Sequence, residues 1–139
     1  MFLFVLRYLG FLKSVPLVPL VFDSLLRVIT LITHRSILVY VDDIEAEVSG
    51  WDGIRTTLHK YGGLQFNYQN TELGHIHGNG LLDMLLNKRT KAELLKEGRI
   101  QNHHSFINSG WISFYIKTED DKRYAIQLLA LAYRHKNQR

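Results

Sequence analysis

The chain has 139 residues, a length that suits one domain of ordinary size. Apolar residues make up 46% and charged residues 22%, so the chain collapses around a core rather than staying disordered. The formal net charge of +4 is too small to argue for nucleic acid. With no cysteine, disulfide scaffolds, thiolate metal sites and cysteine nucleophiles are excluded. Neither phosphate-loop pattern, G-x-x-x-x-G-K or G-x-G-x-x-G, is present, which removes the common nucleotide-binding enzymes.

The N-terminal third is greasier than the rest: of residues 1–33, 22 are apolar, and both prolines, Pro16 and Pro19, lie there. Met1–Lys13 is apolar apart from Arg7 and Lys13. After the proline break, Val21–His34 reads as a helix. Its polar residues Asp23, Arg27, Thr30 and His34 step by four, three and four, which puts them on one stripe. Val21, Leu25, Val28, Ile29 and Ile32 form the wide apolar face opposite. Charges interrupt every window long enough to span a bilayer, and no signal-peptide cleavage site follows. Two readings of residues 1–36 stay open. One is an amphipathic arm on a membrane surface, through residues 1–34. The other is an arm packed on its own domain or on a second subunit as a homodimer. The expected location is accordingly cytoplasmic or membrane-associated.

Residues 37–139 have ordinary globular usage. Ile37–Val41 is a short apolar run and Asp42–Val48 an acidic helix, followed by a turn at Gly50-Trp51-Asp52-Gly53. Strands are expected at Ile54–Leu58, Leu64–Tyr68, Thr71–His77 and Leu81–Leu86, the last two joined by the hairpin signal Gly78-Asn79-Gly80. A helix over Thr90–Glu97 has capping-box spacing at Thr90 and Glu93 and ends at Gly98. Residues 99–110 form a loop, Trp111–Lys117 is a further strand, and Thr118 caps a C-terminal helix. That helix opens with Glu119-Asp120-Asp121, which suits the helix dipole. The fold class is α+β, a mainly antiparallel sheet of about five strands with packed helices, preceded by an apolar helical arm.

The chemistry-bearing residues gather around the hairpin. His75 and His77 alternate on one face of a strand, and a three-residue loop places His75 opposite Asp83. A carboxylate facing a histidine fixes the ring's tautomer and raises its basicity. Three readings fit. In the first, His75 with Asp83 is a general acid/base pair, and His77 or His104 stabilises an anion. In the second, His75, His77 and a distal ligand such as His104 or Asp83 bind iron, zinc or manganese. In the third, the histidines are satisfied strand residues with no chemistry. Trp111 after Ser109-Gly110 suits a wall over a planar ligand, with His103 beside it, and equally suits a core tryptophan.

The run Glu72-Leu73-Gly74-His75-Ile76-His77-Gly78-Asn79-Gly80-Leu81-Leu82-Asp83 resembles the signature of the luciferase-domain family, named after a fungal luciferase. Leu94–Gly98, His103-His104, Ser109-Gly110-Trp111-Ile112-Ser113 and the acid-rich last helix extend the resemblance over roughly residues 50–135. The chain is much shorter than the fungal protein, and its hairpin is similar to that of the bacterial-type members. The resemblance implies oxidation of a hydroxypyrone-like compound by molecular oxygen without an organic cofactor. It also implies His75, His77 and His104 as site residues with Trp111 nearby. The expectation is a cofactor-independent oxygenase acting on an enolisable small aromatic or pyrone-like ligand. Its catalytic residues would be His75, His77, Asp83 and His104, with Trp111, Ser109 and His103 binding substrate. The alternatives are a metal-dependent enzyme using His75, His77 and His104, and a non-enzymatic ligand-binding module at a membrane surface. Nucleic acid is not an expected partner.

Overall fold

A computed structural model describes residues 15 and 17–137. The apolar segment Met1–Lys13 and the proline break at Pro16 lie outside the described residues. Two helices precede the sheet: α1 at Val18–Thr33 and α2 at Arg35–Val48. The strands are β1 (Ile54–Leu58), β2 (Leu64–Tyr68), β3 (Thr71–Ile76), β4 (Leu81–Leu85), β5 (Gln101–Asn102) and β6 (Trp111–Tyr115). Helix α3 (Lys88–Glu97) lies between β4 and β5, and α4 (Glu119–Asn137) closes the chain. All strands pair antiparallel in one sheet of order β1-β2-β3-β4-β6-β5. The α+β architecture is therefore as the sequence indicates, with the two-residue β5 a sixth strand inside the expected loop.

One face of the sheet is the core. Phe66, Met84 and Ile112 lie in one row across the sheet with Gly74 of β3 between the first two, and Ile76, Leu82 and Phe114 form the next row; all six side chains are buried. Helices α2 and α4 cover this face, contributing Val41, Ile44 and Val48 from one and Ala125, Leu128, Leu129 and Ala132 from the other. Helix α2 is longer than the acidic Asp42–Val48 helix. The apolar run Ile37–Val41 is its first half, because Ile37, Val41, Ile44 and Val48 step by four, three and four and form one buried stripe. Helix α4 begins as expected: Thr118 Oγ1 accepts from Asp121 N at 3.1 Å, and Asp121 Oδ2 accepts from Thr118 N at 3.0 Å. Helix α3 is capped by Asn87, three residues before the expected Thr90, with Asn87 Oδ1 accepting from Thr90 N at 2.7 Å.

Helix α1 is turned over relative to its composition. Asp23 and Thr30 of the polar stripe are buried with Leu26, whereas Val21, Leu25, Val28 and Ile32 point outward. Ile32 is 78% exposed. Among the described residues no single helix is long and apolar enough to cross a membrane; α1 and α2 would qualify only as a pair, bent by 118°.

The hairpin explains how α1 comes so close. Gly80 has φ +80°, which the tight loop requires and which L side chains rarely adopt. A Cβ on Gly78 would lie 2.8 Å from Asp23 O and 2.9 Å from Arg27 N, so only glycine lets α1 rest on the hairpin.

Candidate functional site

The opposite face of the sheet carries polar residues in register. His75 on β3 pairs with Asp83 on β4, and Asp83 pairs with Ser113 on β6. The three-residue loop sets this register: His77 N donates to Leu81 O and Gly80 N to His77 O, each at 2.9 Å. Asp83 is 1% exposed, with Ser113 Oγ donating to its Oδ1. Its Oδ2 faces three imidazoles: Nε2 of His77 and of His103 at 3.7 Å and Nε2 of His75 at 3.9 Å. These separations are longer than hydrogen bonds, so the four side chains surround a small gap.

Each ring is oriented through its other nitrogen. Glu72 Oε1 lies 2.6 Å from His75 Nδ1. A carboxylate can only accept, so Nδ1 carries the hydrogen and Nε2 of a neutral His75 offers its lone pair towards Asp83. Asp23 Oδ1, from α1, lies 3.2 Å from His77 Nδ1 and also accepts from Gly78 N at 2.9 Å. His103 is held the opposite way. Its Nδ1 accepts from the backbone N–H groups of Ser105 and Phe106 at 3.1 and 3.3 Å, which leaves Nε2–H facing the aspartate. His59, in the turn after β1, accepts from Tyr61 N and stacks on His75 with centroids 3.6 Å apart.

Burial and charge separate these groups. Burial opposes ionisation of Asp83, yet the His77 ring facing it and the Ser113 hydroxyl donating to it hold its carboxyl below the usual range. Burial also disfavours a charged His77, but the carboxylates of Asp23 and Asp83 outweigh it and raise the ring to about 9. For His59, burial acts together with the neighbouring His75 and lowers the ring to about 4. Burial raises Glu72 while its bond to His75 lowers it, and the net result is a carboxyl below its ordinary value. At neutral pH the site therefore sets an imidazolium at His77 beside a neutral His59 and anionic Asp83 and Glu72.

The loop 103–110 carries His103 to the cluster. Lys91 Nζ pins it by donating to Ile107 O and Ser109 O, both at 2.9 Å. Trp111 is half-buried, its ring 6.0 Å from that of His75 and 5.9 Å from that of His103. Beside the cluster, an open cleft of about 300 Å³ is lined by Arg99, Gln101, Ser113, Tyr115, Lys117 and Asp121. Ser113 lines the cleft and also donates its hydroxyl to Asp83 in the cluster.

Of the residues singled out from sequence, the structure gathers His75, His77, Asp83 and His103, with Trp111 at their side. His104 is exposed, its ring stacked on His103 at 4.3 Å. In the dipeptide it is His103 whose ring faces Asp83. Ser109 serves the loop: its hydroxyl donates to Phe106 O at 2.6 Å and accepts from Trp111 N at 3.1 Å. Three contributors escaped sequence reasoning as site residues: Asp23, Glu72 and His59. A signal existed for Asp23, because an acid in the middle of an apolar segment needs a partner when buried.

No curated protein and no solved structure matches this chain. A family comparison does match, over the strands and helices that build the histidine–aspartate row: residues 70–132 match the model of the Luciferase domain family.

Proposed function

We propose that the chain is an oxygenase of the luciferase-domain type, oxidising an enolisable small aromatic or pyrone-like compound at the His75–His77–Asp83 cluster. The observation that carries this reading is the division of labour between neighbouring rings. His75, oriented through Nδ1 by Glu72, presents a lone pair, while His77 between two carboxylates carries positive charge. In the reaction His75 Nε2 takes the enol proton and the His77 imidazolium holds the enolate oxygen. The enolate carbon then forms a C–O bond with molecular oxygen, which is reduced to the peroxide level as the carbon is oxidised. The peroxide anion takes back the proton held on His75 Nε2 to become a hydroperoxide, which restores the base. Oxygen is the co-substrate, and no organic cofactor enters. His103 Nε2–H and Trp111 lie beside the same cluster, and the open cleft shares Ser113 with it. The test is oxygen uptake by the full chain across a panel of hydroxypyrones and enolisable phenols. Turnover that falls in His75→Ala supports the reading; turnover unchanged by that substitution removes the base.

A second observation favours a lipid surface as partner of α1. Val21, Leu25, Val28, Leu31 and Ile32 are exposed on one helix. Residues 1–35 hold four basic residues, Arg7, Lys13, Arg27 and Arg35, and one acid, Asp23, which is turned inward. An apolar face flanked by cations suits an anionic bilayer. Flotation with phosphatidylcholine vesicles containing phosphatidylserine tests this: the protein should float with them and less with phosphatidylcholine alone. Self-association without flotation would assign the face to a second copy of the chain instead.

A further inference from the structure

The same cluster meets the requirements of a divalent cation site. We propose that His75 Nε2, His77 Nε2 and Asp83 Oδ2 together bind one divalent transition-metal ion. This inference rests on the cluster being the functional centre and changes two roles within it: His75 Nε2 becomes a ligand in place of a base, and the ion's charge takes the part of the His77 imidazolium. The three ligand atoms lie within 4.8 Å of one another. Metal–ligand bonds of about 2.0–2.1 Å put neighbouring ligand atoms roughly 3.0–3.4 Å apart at an octahedral or tetrahedral ion. The Nε2–Oδ2 separations of 3.7 and 3.9 Å need only a small contraction to reach that range. A site built for hydrogen bonding alone would have closed to about 2.7–3.2 Å.

The outer partners argue the same way. A metal-binding imidazole usually donates its second nitrogen to a carboxylate or carbonyl, which fixes the ring and strengthens the ligand. His75 has Glu72 in that position and His77 has Asp23, the latter brought from α1 across the hairpin. His103 is excluded by the same chemistry. Two backbone N–H groups occupy its Nδ1, so the hydrogen sits on Nε2 and no lone pair faces the gap. The triad His59–Glu72–His75 is a poorer site, because a cation there would break the 2.6 Å bond between Glu72 and His75. Two imidazoles and one carboxylate leave several positions open, the arrangement of non-haem iron sites that work with oxygen. An ion so placed would hold an enolate oxygen by charge.

The experiment titrates cobalt(II) into chelator-treated full-length protein, followed by calorimetry, visible absorption and proton NMR. One equivalent should bind and give ligand-field bands. Two exchangeable, hyperfine-shifted imidazole N–H signals should appear, from the Nδ1 hydrogens of His75 and His77. Glu72→Gln should weaken binding by about 10–100-fold, and His77→Gln or Asp83→Asn by more than that. The NMR signals are read on the unsubstituted chain, so a variant that fails to fold leaves the test intact. No bound cobalt, or unchanged affinity in folded Asp83→Asn, overturns the proposal. Cobalt bound without oxygen uptake on any compound keeps the cation and removes the oxygenase. Uptake that persists after chelation with no bound metal does the reverse.

Discussion

The two faces of one sheet differ in kind although the same strands supply both. Leu82 and Met84 face helices α2 and α4, while Asp83 between them faces three imidazoles. The apolar face holds the fold together through close packing, where lost volume is felt at once. The polar face gathers four ionisable side chains, whose burial costs stability unless each finds a partner. Alternation along β3, β4 and β6 lets a residue be assigned to one task or the other from its parity.

Substitutions on opposite faces should therefore fail in different ways. Leu82→Ala, at a fully buried position, should lower the unfolding free energy by about 2–5 kcal/mol in urea melts. The surviving folded fraction should keep its turnover. His75→Ala should lower oxygen uptake by about 10²–10⁴-fold and change stability much less than Leu82→Ala does. If the two variants behave alike, the division between faces is wrong.

The polar face should also make stability depend on pH in both directions. His77 is raised from 6.5 to about 9, so its contribution is complete below pH 6.5 and is lost as pH rises through about 9. His59 is lowered to about 4; protonating it opposes the fold, so its contribution is present above pH 6.5 and lost as pH falls towards about 4. Each amounts to roughly 3 kcal/mol at most, because a tenfold change in proton affinity corresponds to about 1.36 kcal/mol. Urea midpoints of chelator-treated protein should peak near pH 6.5, and His77→Gln should remove the loss on the alkaline side.

Smaller effects test the join between α1 and the hairpin. Gly78→Ala places a Cβ against the backbone of α1 and should cost about 1–3 kcal/mol. By shifting α1 it should also separate Asp23 from His77 and lower the imidazole's titration midpoint, read by NMR. Least of all, Leu25→Glu with Ile32→Glu on the outward face of α1 should change stability by no more than about 0.5 kcal/mol. The same pair should abolish flotation with anionic vesicles.

Much of the site could be read from strand parity and loop length. The His-x-His pattern, a three-residue hairpin and Asp83 six residues past His77 place His75 and Asp83 opposite each other, and the sheet pairs them so. What escaped sequence reasoning came from longer range. Asp23 lies 54 positions before His77, on a stripe whose inward or outward direction depends on what α1 packs against. His59 reaches the cluster only because β1 and β2 bring its turn over His75. Choosing between His103 and His104 needed the loop's backbone, since no strand period applies there. The apolar run opening α2 hid its helical stripe because Leu38, Val39 and Tyr40 are apolar as well.

The central claim is that the polar face aims a free imidazole nitrogen of His75 at Asp83 while its neighbours present hydrogens or charge. Long-range nitrogen–proton NMR of the histidine rings at neutral pH, in chelator-treated protein, reads this directly. The account predicts His75 with its hydrogen on Nδ1, His59 and His103 with theirs on Nε2, and His77 with both nitrogens protonated. A His75 ring carrying its hydrogen on Nε2 would have no lone pair to offer, and both the proton-transfer and the cation readings would fall.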